Sequence, residues 1–254
     1  MFTWRHIVWL IISIVFIVYF GFLIKRKNIS LDTVLSYACI GSLVSEAIKV
    51  FSVLEFVPSE DGSIIFPYMG MNHLPLHLCS LQILMLHYVK YTSNLKMREK
   101  VLSFMYPSCI LGAISALLMP SIFSTSISVE QAFIHPLAYQ FFFYHSMLII
   151  VGIAIISTKE IKWEKRHYFD TLKITYILGF ISLYINSIFA SPTYLNGKLL
   201  HVDFWPNFFF TYNNPLGIKI STIQQWYLYL LILIVVVAVL ITLFYIPLLR
   251  KKKN

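Results

Sequence analysis

Charge is what this sequence has least of. Of its 254 residues only 12% are Asp, Glu, Lys or Arg, where a soluble domain carries about a quarter. A soluble globular fold is therefore excluded. Cysteine is scarce too: Cys39, Cys79 and Cys109 all lie in apolar segments, so no disulfide framework is indicated. There is no small-residue cleavage site after the first apolar run, only Lys25-Arg26-Lys27, which makes that run a retained helix rather than a removed signal. Internal repeats, glycine-rich phosphate loops and low-complexity tracts are all missing. The final apolar segment lacks a lysine for a Schiff base, which argues against a retinal protein.

What is present is apolar. Hydrophobic residues make up 58% of the chain, the composition of an integral membrane protein. The net charge of +9 does not indicate nucleic acid, because the basic residues cluster beside apolar runs as positive-inside flanks do. A spanning helix needs about 20 largely apolar residues, and seven stretches qualify: Ile7 to Ile24, Leu31 to Phe51, Leu74 to Val89, Val101 to Met119, Tyr139 to Ser157, Leu172 to Ala190 and Ile223 to Leu249. The expected fold is all-α, a polytopic membrane bundle of seven transmembrane helices forming one domain over residues 1–254. The third segment requires Pro75 in its first turn, where proline is tolerated. In the second, Glu46 and Lys49 stand three apart on one face and read as an ion pair turned into the bundle.

Lysine and arginine set the topology. The first, third and fifth connections carry Lys25 to Lys27, then Lys90, Lys96, Arg98 and Lys100, then Lys159, Lys162, Lys165 and Arg166; the tail ends Arg250-Lys251-Lys252-Lys253. The second and fourth have none. The N-terminus is expected outside and the C-terminus in the cytoplasm. The longest connection, Ser191 to Ser221, falls outside; Phe204, Trp205, Phe208 to Phe210 and Tyr212 suggest a cap at the membrane interface.

The reactive groups gather near that outer side. His73, His77 and Cys79 open the third segment, and ionisable groups inside a membrane are a functional-site hypothesis by default. Counting from the segment ends, Cys79, His145 and Asn186 all fall roughly 9 Å deep. A thiol needs a base to become a nucleophile, a histidine within reach supplies one, and a third polar group orients the imidazole. Asn186, Gln82 and Ser146 are all candidates for that third role. His77 points about 200° from Cys79 if both are helical, so His77 and His73 read as supporting groups. Cys39 and Cys109 read as small buried apolar residues. His73 and His77 also have metal-ligand spacing, but a site would need His135, His201 or Asp203 to close it; no metal or cofactor is expected.

Leu74-Pro75-Leu76-His77-Leu78-Cys79 in the third of seven segments, followed by Tyr144-His145 in the fifth, resembles the YwaF-like bacterial membrane proteins. Those look related to the transmembrane protein 164 acyltransferases, and more distantly to the androgen-induced and androgen-dependent lipid hydrolases, which use a threonine where this chain has Cys79. The resemblance implies Cys79 as acyl-accepting nucleophile and His145 as general base. It further implies a phospholipid or lysolipid partner, and transfer of a fatty acyl chain between them through an acyl-enzyme in a bacterial plasma membrane. Two other readings stand beside it. One is a non-enzymatic transporter or assembly subunit, with Glu46, Lys49 and Glu55 lining a polar path; the other is a zinc-dependent seven-helix hydrolase.

Overall fold

The computed structural model describes residues 2–195, 198–203, 207–212, 218 and 220–250. Its long helices are α1 (Trp4–Lys27), α2 (Leu31–Val53), α3 (Leu78–Tyr91), α4 (Leu95–Leu118), α6 (Pro136–Ser157), α7 (Lys165–Ile188) and α8 (Ile223–Arg250), with a single turn α5 at Ile122–Thr125. Six of them are long and apolar enough to cross a membrane. Seven spans are expected from the sequence; the third segment gives α3, which has only 14 residues, or roughly 21 Å against the roughly 30 Å of a hydrocarbon core. The cause is Pro75, which pushes Leu74 out of the helical region. Residues 74–77 form instead a tight turn, with the Leu76 amide donating to the Leu74 carbonyl at 2.8 Å, and the helix starts at Leu78.

The bundle is all-α apart from two short hairpins in the connections. Strands β1 (Glu55–Pro58) and β2 (Ile65–Tyr68) pair antiparallel, as do β3 (Ser191–Leu195) and β4 (Lys198–Asp203). Val57, Ile65, Phe66 and Tyr68 have the branched and aromatic character of strands, and Gly62 supplies the φ of +68° that the first turn needs. In that turn the Ser59 and Ser63 hydroxyls donate to the Asp61 carboxylate, holding its pKa down at about 2.

The described elements fall into two compact units, Met1–His73 with Cys79–Lys162, and Leu74–Leu78 with Trp163–Asn254. In the first, α6 is the central helix, with α1, α2 and α4 packed round it. Trp9 of α1 stacks on Phe142 at 4.9 Å and donates its indole N–H to the Ala132 carbonyl at 2.8 Å. The basic connections meet at one end of this unit. There Lys90 pairs with Asp32 at 2.6 Å, Arg98 with Glu160 at 3.5 Å, and the Leu31 amide donates to Glu160. Helix α4 begins six residues before the apolar run. Asn94 caps it by accepting from the Met97 amide at 3.1 Å, and Lys96, Arg98 and Lys100 are good helix formers once capped.

At the other end Lys49 donates to Glu46 at 2.6 Å and to the His73 carbonyl at 3.1 Å. Replacing Lys49 by methionine should leave the Glu46 carboxylate unpaired, at a cost of about 3 kcal/mol or more. Adding Glu46→Gln should recover most of the loss, as a comparison of the three melting curves in detergent would test.

In the second unit α7 and α8 are tied by hydroxyls: Tyr168 to Thr242 at 3.0 Å and Thr171 to Tyr245 at 2.8 Å. The turn at 207–212 is clamped against them. Asn186 donates to the Phe208 carbonyl and the Thr211 hydroxyl at 2.9 and 2.8 Å, and accepts from the Phe208 amide at 3.0 Å. The Trp226 indole and the Tyr229 hydroxyl donate to the Thr211 and Phe210 carbonyls. These bonds hold Phe209 and Phe210 at φ of +56° and +55°, a left-handed conformation that costs about 1–2 kcal/mol per residue. Of the expected aromatic cap, Phe208 is buried, Phe210 exposed and Tyr212 half-buried, its ring 5.7 Å from that of Trp226; Phe204 and Trp205 lie outside the described residues.

Candidate functional site

Cys79 is the second residue of α3, not a residue one and a half turns down it. All three thiols are free, but Cys39 and Cys109 are buried while Cys79 is half-buried. The buried pair behave as core residues: Cys109 donates its S–H to the Gln82 carboxamide oxygen at 3.3 Å. For Cys79 no hydrogen bond to its sulfur is seen among the described residues. A helix N-terminus is a positive environment, and such positions favour the thiolate. Of the three cysteines, then, Cys79 is the one that is both accessible and at a helix start.

Short and thinly packed, α3 is held by polar pins. Tyr144 of α6 donates its hydroxyl to the Cys79 carbonyl at 2.8 Å. One turn further along, buried Gln82 donates to the Ser108 hydroxyl of α4 at 3.0 Å and accepts from Cys109. At the far end Lys90 reaches Asp32, and Arg98 donates to the Val89 carbonyl at 2.9 Å. Upstream, Lys49 holds the carbonyl of His73.

His145 follows Tyr144 on α6, nine residues from the helix start at Pro136, or roughly 14 Å along the axis. It is buried, 7% exposed. Its Nδ1 lies 2.6 Å from the Phe141 carbonyl, one turn back on the same helix. A carbonyl only accepts, so Nδ1 carries the proton and Nε2 keeps its lone pair. Among the described residues Nε2 has no hydrogen-bond partner. Packing of the ring against Phe141, centroids 4.3 Å apart, fixes its plane. His145 is thus an oriented imidazole whose second nitrogen is open and, in the neutral ring, basic.

The three side chains expected near this imidazole each have other partners. Gln82 serves Ser108 and Cys109, Asn186 serves Phe208 and Thr211, and Ser146 donates to the Phe142 carbonyl. The orienting group is a backbone carbonyl four residues back, which leaves no signature in side-chain chemistry. Tyr144 was visible in the motif but not its bond to Cys79. His77 precedes α3, is exposed, and packs its ring on Phe208 at 4.7 Å within the second unit. His73 is half-buried in a single 3-10 turn; burial, and then the Lys49 charge, hold its imidazole below the usual pKa against an opposing pull from Glu55. Among the described residues no three of His, Cys, Asp and Glu are gathered to hold a metal; the side chains of His201 and Asp203 lie outside them.

Truncating Asn186 to alanine should strand the buried Phe208 amide and carbonyl, each such loss costing about 1–3 kcal/mol. The expected result is a lowered melting point and new proteolytic cleavage within 207–212, with His145→Gln protein showing neither.

A family model described as the TMEM164 family matches residues 1–245. No curated protein and no solved structure matches the chain.

Proposed function

This chain belongs to the TMEM164 family, and from that premise we propose that it is a membrane-embedded acyltransferase in which Cys79 is the nucleophile and His145 the general base. The observation that carries the proposal is the state of His145: its Nδ1 proton committed to Phe141, its Nε2 open, and the residue beside the tyrosine that holds the Cys79 backbone. The Lys and Arg distribution supports an outer-leaflet position for this chemistry, near the depth of lipid ester carbonyls.

The reaction follows from the groups present. Nε2 of His145 takes the thiol proton as the Cys79 sulfur attacks the ester carbonyl of a phospholipid. The tetrahedral adduct collapses, the C–O bond breaks, and the imidazolium returns the proton to the departing lysolipid oxygen. The acyl chain is then a thioester on Cys79. A lysolipid hydroxyl attacks that thioester with His145 again taking the proton, the C–S bond breaks, and the thiol is regenerated. Water in place of the lysolipid makes the same site a hydrolase. Asn186 and His77 act within the second unit, on the aromatic turn at 207–212. Gln82 supports the site by seating α3, and His73 by anchoring the turn before it.

The test is to incubate purified protein with a phospholipid bearing an alkyne-tagged acyl chain and map the adduct by mass spectrometry. A hydroxylamine-sensitive tag on the Cys79 peptide is expected, and none in Cys79→Ser protein. A tag distributed equally over Cys79 and Cys109 defeats the reading. Strong chelators should leave the rate unchanged; loss of activity on chelation, restored by zinc, favours the metal-dependent hydrolase instead.

A further inference from the structure

On α2, Val44, Ala47, Ile48 and Phe51 form an apolar stripe at helical spacing, closed at one end by Pro136 of α6. Together they line a groove of about 610 Å³, within the range of small-molecule sites. Phe51 is 81% exposed, so none of the described residues covers this end of the stripe.

The groove is not uniformly apolar. Ser52 and His135 lie at its upper end, where α2 finishes at Val53 and α6 starts at Pro136. His135 caps α6 by accepting the Leu137 amide on Nδ1 at 3.2 Å. In the neutral ring the proton is therefore on Nε2, which presents a donor. The stripe from Val44 to Ser52 runs roughly 12 Å along the helix, close to the roughly 15 Å of one hydrocarbon leaflet. Donors at the helix ends, where the interface lies, and aliphatic walls below them for one leaflet match one kind of molecule. We propose that the α2–α6 groove binds a single acyl chain of a membrane glycerolipid, with the lipid's phosphate or ester carbonyl accepting from His135 Nε2 and Ser52.

Along α6, Pro136, Gln140 and Tyr144 succeed one another turn by turn; Gln140 donates to Ser45 of α2 at 2.7 Å, and Tyr144 to the Cys79 carbonyl. The Pro136 end of the groove thus stands two turns, roughly 12 Å, before Tyr144 along α6. The binding claim itself does not rest on the chemistry of Cys79.

The experiment uses the full chain in phosphatidylcholine nanodiscs with two photoactivatable probes, a lysophosphatidylcholine and a monoacylglycerol, each with a diazirine in its chain. Crosslinks are expected to concentrate on residues 44–52. They should exceed those on an apolar groove of the second unit lined by Tyr176, Ile234, Ala238 and Thr242, whose two hydroxyls already donate to the Ile234 and Ala238 carbonyls. Ala47→Trp should empty the first groove and leave the second unchanged. His135→Asn keeps an acceptor to cap α6 but withdraws the Nε2 donor, and should lower labelling roughly three- to tenfold, the effect of one hydrogen bond. A fall for both probes identifies the ester carbonyl as the acceptor, and a fall for the lysophosphatidylcholine alone identifies the phosphate. Equal labelling of the two grooves in unmodified protein, a comparison that needs no variant, overturns the proposal, as does indifference to both substitutions. Cys79→Ala protein should label normally, which separates this claim from the catalytic one.

Discussion

Cys79→Ala and His145→Ala proteins are each expected to lose acyl transfer by about 10³-fold or more, and the double variant to lose little beyond either alone. The sub-additivity is the informative part. A thiol without its base and a base without its thiol fail at the same step, so the second removal takes away nothing that still works. Two independent structural lesions would multiply instead. His145→Gln sharpens the test, because its carboxamide can keep a donor near the Phe141 carbonyl but offers no basic nitrogen. It should fold like the parent and remain inactive. Tyr144→Phe probes the geometry between them. Removing its hydroxyl frees the Cys79 carbonyl from α6 without touching thiol or imidazole, so activity should fall roughly tenfold while Cys79 stays reactive to a small alkylating probe. The measurement is lysolipid acylation at saturating lipid, with circular dichroism as the fold control. A Cys79→Ala protein that retains even a tenth of parental activity eliminates the mechanism.

The legible part of this fold was its hydrophobic periodicity. Apolar runs long enough to span a membrane cannot be hidden, and six of the seven appear as helices of spanning length. The alternation of basic connections matches the gathering of Asp32, Lys90, Arg98 and Glu160 at one end of the first unit. What escaped was local. Pro75 was given a place inside a first helical turn, whereas its effect on Leu74 moved the helix start to Leu78, and Cys79 with it. Hydropathy also placed Lys96 to Lys100 in a loop, because it cannot see that Asn94 caps a helix there. Both hairpins were missed because turn chemistry such as Asp61-Gly62 is weak evidence beside long apolar runs. Of the proposed site, Cys79 and His145 stand out in the sequence as polar groups in apolar surroundings, while the bonds of Tyr144 and His145 go to backbone carbonyls, which every residue possesses.

The second large effect should come from a residue with no chemistry at all. At Gly152, α6 lies close against α4. A Cβ built there would lie 2.5 Å from Cγ1 of Ile110 and 3.2 Å from the Tyr106 carbonyl oxygen. Small residues at helix crossings let backbones approach in membranes, where packing rather than hydrophobic burial drives association. Gly152→Ala should therefore destabilise by about 1–3 kcal/mol, as overpacking does, and Gly152→Leu should prevent assembly of the first unit. The pair Gly152→Ala with Ile110→Ala separates the two contacts. Trimming Ile110 relieves the side-chain clash but not the approach to the Tyr106 carbonyl, so rescue should be partial. Activity should be more sensitive than stability. Ser108 and Cys109, which seat Gln82 of α3, stand just before Ile110 on α4. Pushing α4 off α6 shifts the seat of α3, and so Cys79, relative to His145. Gly152→Ala protein should consequently lose a larger fraction of its acyl transfer than of its folded population at the same temperature, read by parallel activity and melting measurements. Equal losses would mean that the α4–α6 contact serves stability alone.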